Sequence, residues 1–277
     1  MRLASPLLAA LSAAVLVAVG QSPSAAREAV DLELALGVDV SGSVDAEEAR
    51  LQRQGYIAAF SHPQVIDAIR YGPLGKIAVA YYEWAGFGHM KIIAEWTVVH
   101  DKASAGVFVE KLRNPPPQRA HRTAISDAIE FAVPFFDRND FDGTRRVLDL
   151  SGDGANNFGR RVTEARDMAV AEGITINGLP IVNNRPSRYG GPATPDLDLY
   201  YEDCVIGGPG AFIVVAEDFV DFATAVRRKL ILEIAGLQPE PRRRSGPVSS
   251  AGLVPVQARS APPCDIGERM RRYRDDY

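Results

Sequence analysis

Hydrophobic residues in this chain fall into short apolar runs that alternate with longer segments in which apolar positions recur every three to four residues. The first pattern is typical of strands buried on both faces, and the second is typical of helices that pack on one side. The predicted strands cover residues 31–40, 76–85, 91–99, 145–151, 174–182 and 212–216. The predicted helices cover residues 44–60, 103–112, 124–136, 160–172 and 217–235, with a further turn at 63–70.

This alternation predicts an α/β fold, a Rossmann-like, doubly wound and mostly parallel six-stranded sheet with helices on both faces. The link at 86–89 is too short for a crossover, so strand 91–99 must run antiparallel to strand 76–85, at an edge. Ser43 is predicted to cap the helix at 44–60. Ligands bind beyond the carboxyl ends of the strands in such sheets, so the loops after the first, fourth and fifth strands should share one rim.

The two ends of the chain differ in composition from the middle. Residues 1–26 have a positive start, an apolar stretch at 7–19 and small residues before Ala26, the order found in a secretory signal peptide. A membrane anchor is the alternative, but the stretch is shorter than the ~20 residues that span a bilayer. We therefore expect an exported protein, periplasmic or secreted, with no membrane span after cleavage. An α/β domain at 27–236 and a Pro/Arg-rich tail at 237–277 complete the predicted organisation.

The cysteines and the charge balance add further expectations. Cys204 and Cys264 suit an oxidising compartment, and their pairing would tie the tail to the domain with a stabilisation of roughly 3–4 kcal/mol. The alternative is one buried and one exposed thiol, and without the bond we expect the tail to be largely disordered. The net charge of −4 shows no electrostatic footprint for nucleic acid. Basic clusters at 242–244 and 269–274 are interpreted as solvated tail charges.

Candidate chemistry is concentrated where the first strand ends, in the segment Asp39-Val40-Ser41-Gly42-Ser43. Thr123 lies in a polar loop before a helix, and Asp153 follows strand 145–151. Carboxylate and hydroxyl oxygens without histidine or thiolate suit a hard cation such as Mg²⁺, Mn²⁺ or Ca²⁺. The structural alternative is that Asp39 and Ser43 cap the following helix and that Asp153 closes an Asx-turn.

This pattern resembles the von Willebrand factor type A (VWA) domain and its metal-ion-dependent adhesion site (MIDAS), whose motif is Asp-x-Ser-x-Ser, then a distant Thr, then an Asp often followed by Gly. The resemblance covers about residues 30–235. Within the superfamily, the chain is similar to exported bacterial members with no assigned function. The resemblance implies that Ser41, Ser43 and Thr123 contact a divalent cation or the waters bound to it. Mg²⁺ is the ion that we expect first. The resemblance also implies that Asp39 and Asp153 hold the cation mainly through water.

The chain departs from the family pattern in the threonine loop. Arg122 stands where the family usually has Gly before the Thr, and Arg119 and His121 add positive charge nearby. These groups either weaken metal binding or help to receive an acidic partner. The tyrosines of the 183–203 excursion, Tyr189, Tyr200 and Tyr201, are interpreted either as a contact surface or as loop packing.

The function that the resemblance implies is metal-dependent protein binding. We expect an adhesion or scaffold module that captures an Asp or Glu of another protein through its cation. We do not expect an enzyme, and the sequence offers no catalytic or organic-cofactor residues. One alternative is a metal-assisted hydrolase of phosphate or ester substrates, for which His121 is the nearest candidate base. The other is an envelope structural protein whose metal site is degenerate.

Overall fold

The computed structural model describes residues 26–114, 118, 120–182, 193–219, 221–240 and 259–275. Residues 1–25 of the predicted signal peptide lie outside these ranges, as do Arg119 and Tyr189. Strands and helices are labelled in chain order. The strands are β1 (Glu28–Val30), β2 (Leu32–Asp39), β3 (Ile77–Trp84), β4 (Met90–Val99), β5 (Phe141–Gly143), β6 (Arg146–Gly152) and β7 (Ile174–Pro180).

Helices cover both faces of the sheet. They are α1 (Ala46–Phe60), α2 (Pro63–Arg70), α3 (Lys102–Arg113), α4 (Ile125–Asp137), α5 (Val162–Ala171), α6 (Leu197–Tyr200) with a π-helical turn at Tyr201–Val205, α7 (Phe222–Ala235) and α8 (Ile266–Asp275). Apolar residues of α1, α2, α3 and α7 form the core on one face, and those of α4, α5 and α6 form the core on the other. None of the helices in the described part has both the length and the apolar character needed to span a bilayer.

The central sheet has the strand order β4-β3-β2-β6-β7. β2 is buried along its whole length and pairs in parallel with both β3 and β6. β4 pairs antiparallel with β3 at the edge, which confirms the prediction from the short link. β1 and β5 form a separate two-stranded parallel sheet that was not predicted from the sequence.

The prediction of six strands is wrong by one. Residues 212–216 run beside β7, and Val214 N donates to Gly178 O at 3.1 Å, but only isolated bridges at Ile213 and Ala216 result. A continuous parallel ladder would need a donor at residue 180, and Pro180 has no backbone N–H. The central sheet of the described chain therefore has five strands, with an irregular segment following the β7 edge.

The helix that follows the β2 loop begins later than predicted. Asp45, and not Ser43, is the N-cap of α1, because its carboxylate accepts bonds from Glu47 N at 2.8 Å and from Glu48 N at 2.9 Å. Glu48 completes a capping box by accepting a bond from Asp45 N at 2.7 Å. The Ser43 hydroxyl is thereby available for the loop that contains Asp153.

The cysteine prediction is confirmed, since Cys204 and Cys264 form a disulfide with their Cα atoms 5.4 Å apart. The part of the tail next to this bond is ordered. Arg259 forms ion pairs with Asp198 and Asp196, and α8 follows directly after the disulfide. The C-terminal segment is thus tied to the domain at the end of the sheet where the candidate site lies.

Candidate metal site

The structure brings the five predicted site residues together at the carboxyl ends of β2 and β6. The hydroxyl oxygens of Ser41 and Ser43 lie 3.1 Å apart, and Ser43 Oγ donates to Asp153 Oδ1 at 2.6 Å. Thr123 Oγ1, from the residue two positions before α4, donates to Ser41 Oγ at 3.3 Å. Three segments distant in sequence therefore present three hydroxyls and two carboxylates to one small volume.

Asp39 is the buried carboxylate of this group. It is fully buried, and its Oδ1 accepts a bond from Ser41 N at 2.6 Å. Its Oδ2 is buried and has no hydrogen-bond partner among the residues that the structure describes. Burial and the neighbouring charge of Asp153 raise the pKa of Asp39 well above its usual range. A buried carboxylate with a spare oxygen beside a second carboxylate is an arrangement that a cation would neutralise.

Glycines keep the space around this carboxylate open. A Cβ on Gly152 would stand 3.0 Å from Asp39 Oδ2 and 2.9 Å from Tyr201 Oη, and one on Gly154 would stand 3.6 Å from Thr123 Oγ1. Tyr201 Oη is also buried without a partner in the described part of the chain, and burial together with Asp39 raises the pKa of this phenol. The contact-surface interpretation of Tyr200 and Tyr201 is wrong, because both side chains are fully buried.

Thr123 is fixed by Asn157. Asn157 Oδ1 accepts a bond from Thr123 N at 3.0 Å, and Asn157 N donates to Thr123 O at 2.8 Å. These two bonds hold the threonine loop against the loop of Asp153. Asn157 was not predicted from the sequence, because its role depends on contacts between loops that no local pattern reveals.

The structure accommodates Arg122 in place of the usual glycine. Arg122 takes the left-handed conformation, with φ +68°, and its carbonyl accepts a bond from Gly86 N at 2.8 Å. A Cβ on Gly86 would overlap the Cβ of Arg122, so a glycine on the facing link makes room for the arginine. His121 is exposed, and its carbonyl also accepts a bond from Gly86 N, at 3.1 Å.

Asn156 links the metal-site loop to the rest of the molecule. Its Oδ1 accepts a bond from Ser126 N at 3.0 Å, in the first turn of α4. Its Nδ2 donates to Glu268 Oε1 at 2.9 Å, in α8, and to Arg160 O at 3.1 Å. This buried amide therefore connects the loop of Asp153 to the helix after Thr123 and to the disulfide-bonded C-terminal segment. No spacing or composition in the sequence indicates this role.

The donor set fits a hard divalent cation. Within the described ranges no group of three or more His, Cys, Asp or Glu is placed to hold a metal ion, so a thiolate or imidazole site of the zinc type is not formed there. The groups that do converge are hydroxyls and carboxylates, the oxygen ligands that Mg²⁺, Mn²⁺ and Ca²⁺ take. The buried Oδ2 of Asp39 is the group that most needs such an ion.

Solved structures with a similar fold include a von Willebrand factor type A protein, a matrix protein and a pilus adhesin. Proximal thread matrix protein 1 from the mussel byssus, described in one structure as having a zinc-occupied MIDAS motif, is 17% identical with a TM-score of 0.52, over 74% of this chain and 46% of that chain. The pilus adhesin SpaC from Lactobacillus rhamnosus GG is 12% identical with a TM-score of 0.53, over 76% of this chain and 31% of that one. The von Willebrand factor type A protein from Catenulispora acidiphila is 14% identical with a TM-score of 0.52, over 74% of this chain and 43% of that one.

These likenesses establish the fold, and the fold predicted from the motif is confirmed as VWA-like. The matched region spans a little under half the length of the mussel protein. No curated protein matches the sequence.

A family model matches residues 29–238, which is most of the chain. The chain therefore belongs to the family described as "Protein of unknown function (DUF1194)".

Proposed function

We propose that this protein is an exported binding module that holds a divalent cation at Asp39, Ser41, Ser43, Thr123 and Asp153 and captures an Asp or Glu of another protein. The observation that carries the proposal is the fully buried Asp39, whose Oδ2 lacks a partner in the described ranges, beside Asp153 and the three converging hydroxyls. When bound, the cation supplies a Lewis-acidic position for a carboxylate oxygen from outside. Mg²⁺ is the ion we expect first, with Mn²⁺ or Ca²⁺ as alternatives.

The protein residues divide into two roles. The hydroxyls of Ser41, Ser43 and Thr123 bind the cation or its waters, and they are neutral. Asp39 and Asp153 supply negative charge, mainly through water, so they balance the ion without filling all of its positions. Neutral direct ligands leave a divalent ion strongly attractive to an anionic oxygen, which favours an acidic residue as the partner group.

Two further observations support the proposal. The mussel byssus protein has been solved with a zinc-occupied MIDAS, and another similar structure is a pilus adhesin. Both observations are of other proteins. They are consistent with metal binding or adhesion by a protein that has this fold. Export is supported by the Cys204–Cys264 disulfide, because such bonds persist in oxidising compartments.

We propose binding and not catalysis. The nearest histidine, His121, is an exposed loop residue whose backbone carbonyl bonds to Gly86 N. A hydrolase would need a base held at a defined place against its substrate. Turnover of generic phosphoesters that is lost in His121→Ala would favour the hydrolase alternative instead.

The proposal is tested by calorimetric titration of Mg²⁺ and Mn²⁺ into the wild type and into Ser41→Ala and Asp39→Asn. We expect each variant to stay folded and to lose at least tenfold in cation affinity. Ser61→Ala is the matched control, because it removes an exposed hydroxyl at the end of α1 that bonds to Ile57 O. Retention of envelope proteins on the immobilised wild type in Mg²⁺, released by chelator, should be absent for Ser41→Ala. Equal cation affinity in all four proteins would contradict the proposal.

A further inference from the structure

An aromatic pair, one ring exposed and the other half-buried, lies on the same rim as Thr123. The ring centroids of Phe87 and Phe158 are 4.6 Å apart, and Phe87 is 67% exposed. Phe87 lies in the link between β3 and β4, and Phe158 follows the loop of Asp153. The pair therefore joins two of the loops that flank the candidate metal site.

Backbone contacts show how near this pair is to the site. Gly86, next to Phe87, donates its N–H to Arg122 O at 2.8 Å. Asn157, next to Phe158, donates its N–H to Thr123 O at 2.8 Å. Because one residue adds at most ~3.8 Å between Cα atoms, the Cα atoms of both phenylalanines lie within about 10 Å of that of Thr123. An extended segment bound at the site would reach the pair within two or three residues, at about 3.3 Å per residue.

Phe87 lies in the tight turn between β3 and β4. His89 N donates to Gly86 O at 3.3 Å across Phe87 and Gly88, and both of these residues have positive φ, as a two-residue turn between antiparallel strands requires. Phe87 has φ +58° and Arg122 has φ +68°, and the only other non-glycine residue with positive φ in the described part is Asp196. The turn sets this backbone conformation, but a phenylalanine in the left-handed region is unfavourable where glycine or asparagine would be tolerated. Since most of the Phe87 ring faces solvent, the phenylalanine gains little from burial in return.

We infer that the aromatic pair Phe87–Phe158 is a specificity surface for the same partner, and this inference rests on the proposed function. The partner segment carries its captured Asp or Glu together with a large apolar side chain two or three residues away, and that side chain packs on the pair. The positive charge of Arg122 on the adjoining loop complements an acidic segment. The partner class is therefore a protein segment that combines acidic and apolar residues, and not one that is acidic throughout.

The test uses the wild type and Phe87→Asn, because asparagine tolerates the left-handed conformation and lacks the ring. The probes are capped peptides with a central Asp in a serine background, with or without Leu two or three residues away on either side. In Mg²⁺ we expect the Leu peptides to bind the wild type at least tenfold more tightly than the all-serine peptide. We expect Phe87→Asn to lose that difference while its Mg²⁺ affinity is unchanged. Tyr71→Ser is the matched control, because Tyr71 is 89% exposed and lies beside Gly72, which packs against Asp31 before β2, at the opposite end of the sheet.

Three outcomes would overturn the inference. Equal, Mg²⁺-dependent binding of the Leu and all-serine peptides would overturn it and leave the proposed function standing. Failure of every peptide to bind in Mg²⁺ would count against carboxylate capture itself, and the inference would fall with it. Cation-independent binding of the wild type to anionic vesicles, lost in Phe87→Asn, would assign the pair to a membrane surface instead.

Discussion

Asn156 Nδ2 donates a hydrogen bond of 2.9 Å to Glu268 Oε1, which joins the metal-site loop directly to the C-terminal helix. This helix begins two residues after Cys264, which is bonded to Cys204. Gly267 completes the contact, because a Cβ at this position would overlap Asn156 O. The C-terminal segment thus braces the loop of Asp153 from outside the sheet.

We expect loss of this brace to weaken cation binding. The double variant Cys204→Ser/Cys264→Ser opens a loop with a sequence separation of 60 residues, which costs about 4 kcal/mol of stability in the chain-entropy model. Gly267→Ala leaves the disulfide intact but pushes the helix away from Asn156. Both variants should lower Mg²⁺ affinity several-fold in calorimetry while far-ultraviolet circular dichroism still reports the α/β fold. Unchanged affinity in both would show that the metal-site loop stands without the brace.

Gly152→Ala is predicted to damage the site from within. The added methyl group would stand 3.0 Å from Asp39 Oδ2 and 2.9 Å from Tyr201 Oη, both buried. We expect a destabilisation of about 1–3 kcal/mol and a lower Mg²⁺ affinity, because the carboxylate must shift. Gly106→Ala, on α3, is the control, because its added Cβ meets no described atom within 4 Å apart from its chain neighbours and the backbone of its own helix. This variant should stabilise the protein by about 0.5–1 kcal/mol. Urea denaturation and calorimetry measure the two effects, and equal behaviour of the variants would contradict the assignment.

Arg122→Gly should stabilise the protein. Arg122 has φ +68°, a conformation that costs a non-glycine residue roughly 1–2 kcal/mol. Glycine adopts it freely, although its greater entropy in the unfolded chain offsets part of the gain, so we expect about 0.5–1 kcal/mol. Cation affinity should hold or rise, since one positive charge leaves the threonine loop. A loss of cation affinity would mean that the arginine takes part in holding the loop.

A buried cluster of charged residues between β6 and α7 predicts an unusual dependence of stability on pH. Asp149 is buried beside Lys229, whose Nζ lies 2.6 Å from Asp149 Oδ1, and Lys229 also pairs with Glu233. Burial and the charge of Glu233 raise the pKa of Asp149 to about 7, despite the opposing effect of Lys229. The folded protein thus keeps a proton that the unfolded chain loses near pH 4, so stability should fall as pH rises from about 4 to about 7.

Asp149→Asn isolates this effect, because Lys229 keeps Glu233 as its partner. Urea denaturation in chelator at pH 5 and at pH 8 should show a smaller difference in the free energy of unfolding for the variant than for the wild type. Asp39 contributes in the same direction when no cation is present, since its pKa is also raised. The test therefore compares the change in the free energy of unfolding between pH 5 and pH 8 in the two proteins, because the wild-type change alone includes the effect of Asp39. An identical difference in both would rule out Asp149 as the titrating group.

The sequence was sufficient to predict the VWA-like architecture, apart from the strand count, and the rim where the five candidate ligands lie. The buried strand before Asp39 and the one before Asp153 are apolar enough to recognise, and parallel strands bring their carboxyl ends to one rim. The antiparallel edge followed from a link too short for a crossover. These features are local, or follow from topology alone.

The remaining features depend on contacts between distant segments. Pro180 interrupts a ladder only once the register of residues 212–216 is known. The Asp45 cap is an exception, because Asp45 and Glu48 stand at capping-box spacing, a pattern that the sequence itself shows. Asn156 and Tyr201 reach the site from a loop and a π-helical turn whose positions are fixed by tertiary packing. No periodicity or spacing in the sequence marks such residues.

The central claim is that one cation is held among Ser41, Ser43 and Thr123, with Asp39 and Asp153 beside it. Anomalous diffraction from crystals of the full chain saturated with Mn²⁺ locates such an ion directly. We predict one peak within about 2.2 Å of the Ser41 and Ser43 hydroxyl oxygens, allowing for octahedral Mg²⁺-like coordination. A Mn²⁺-saturated crystal with no peak among these three hydroxyls, or with Thr123 or Asp153 turned away from the two serines, would contradict the claim.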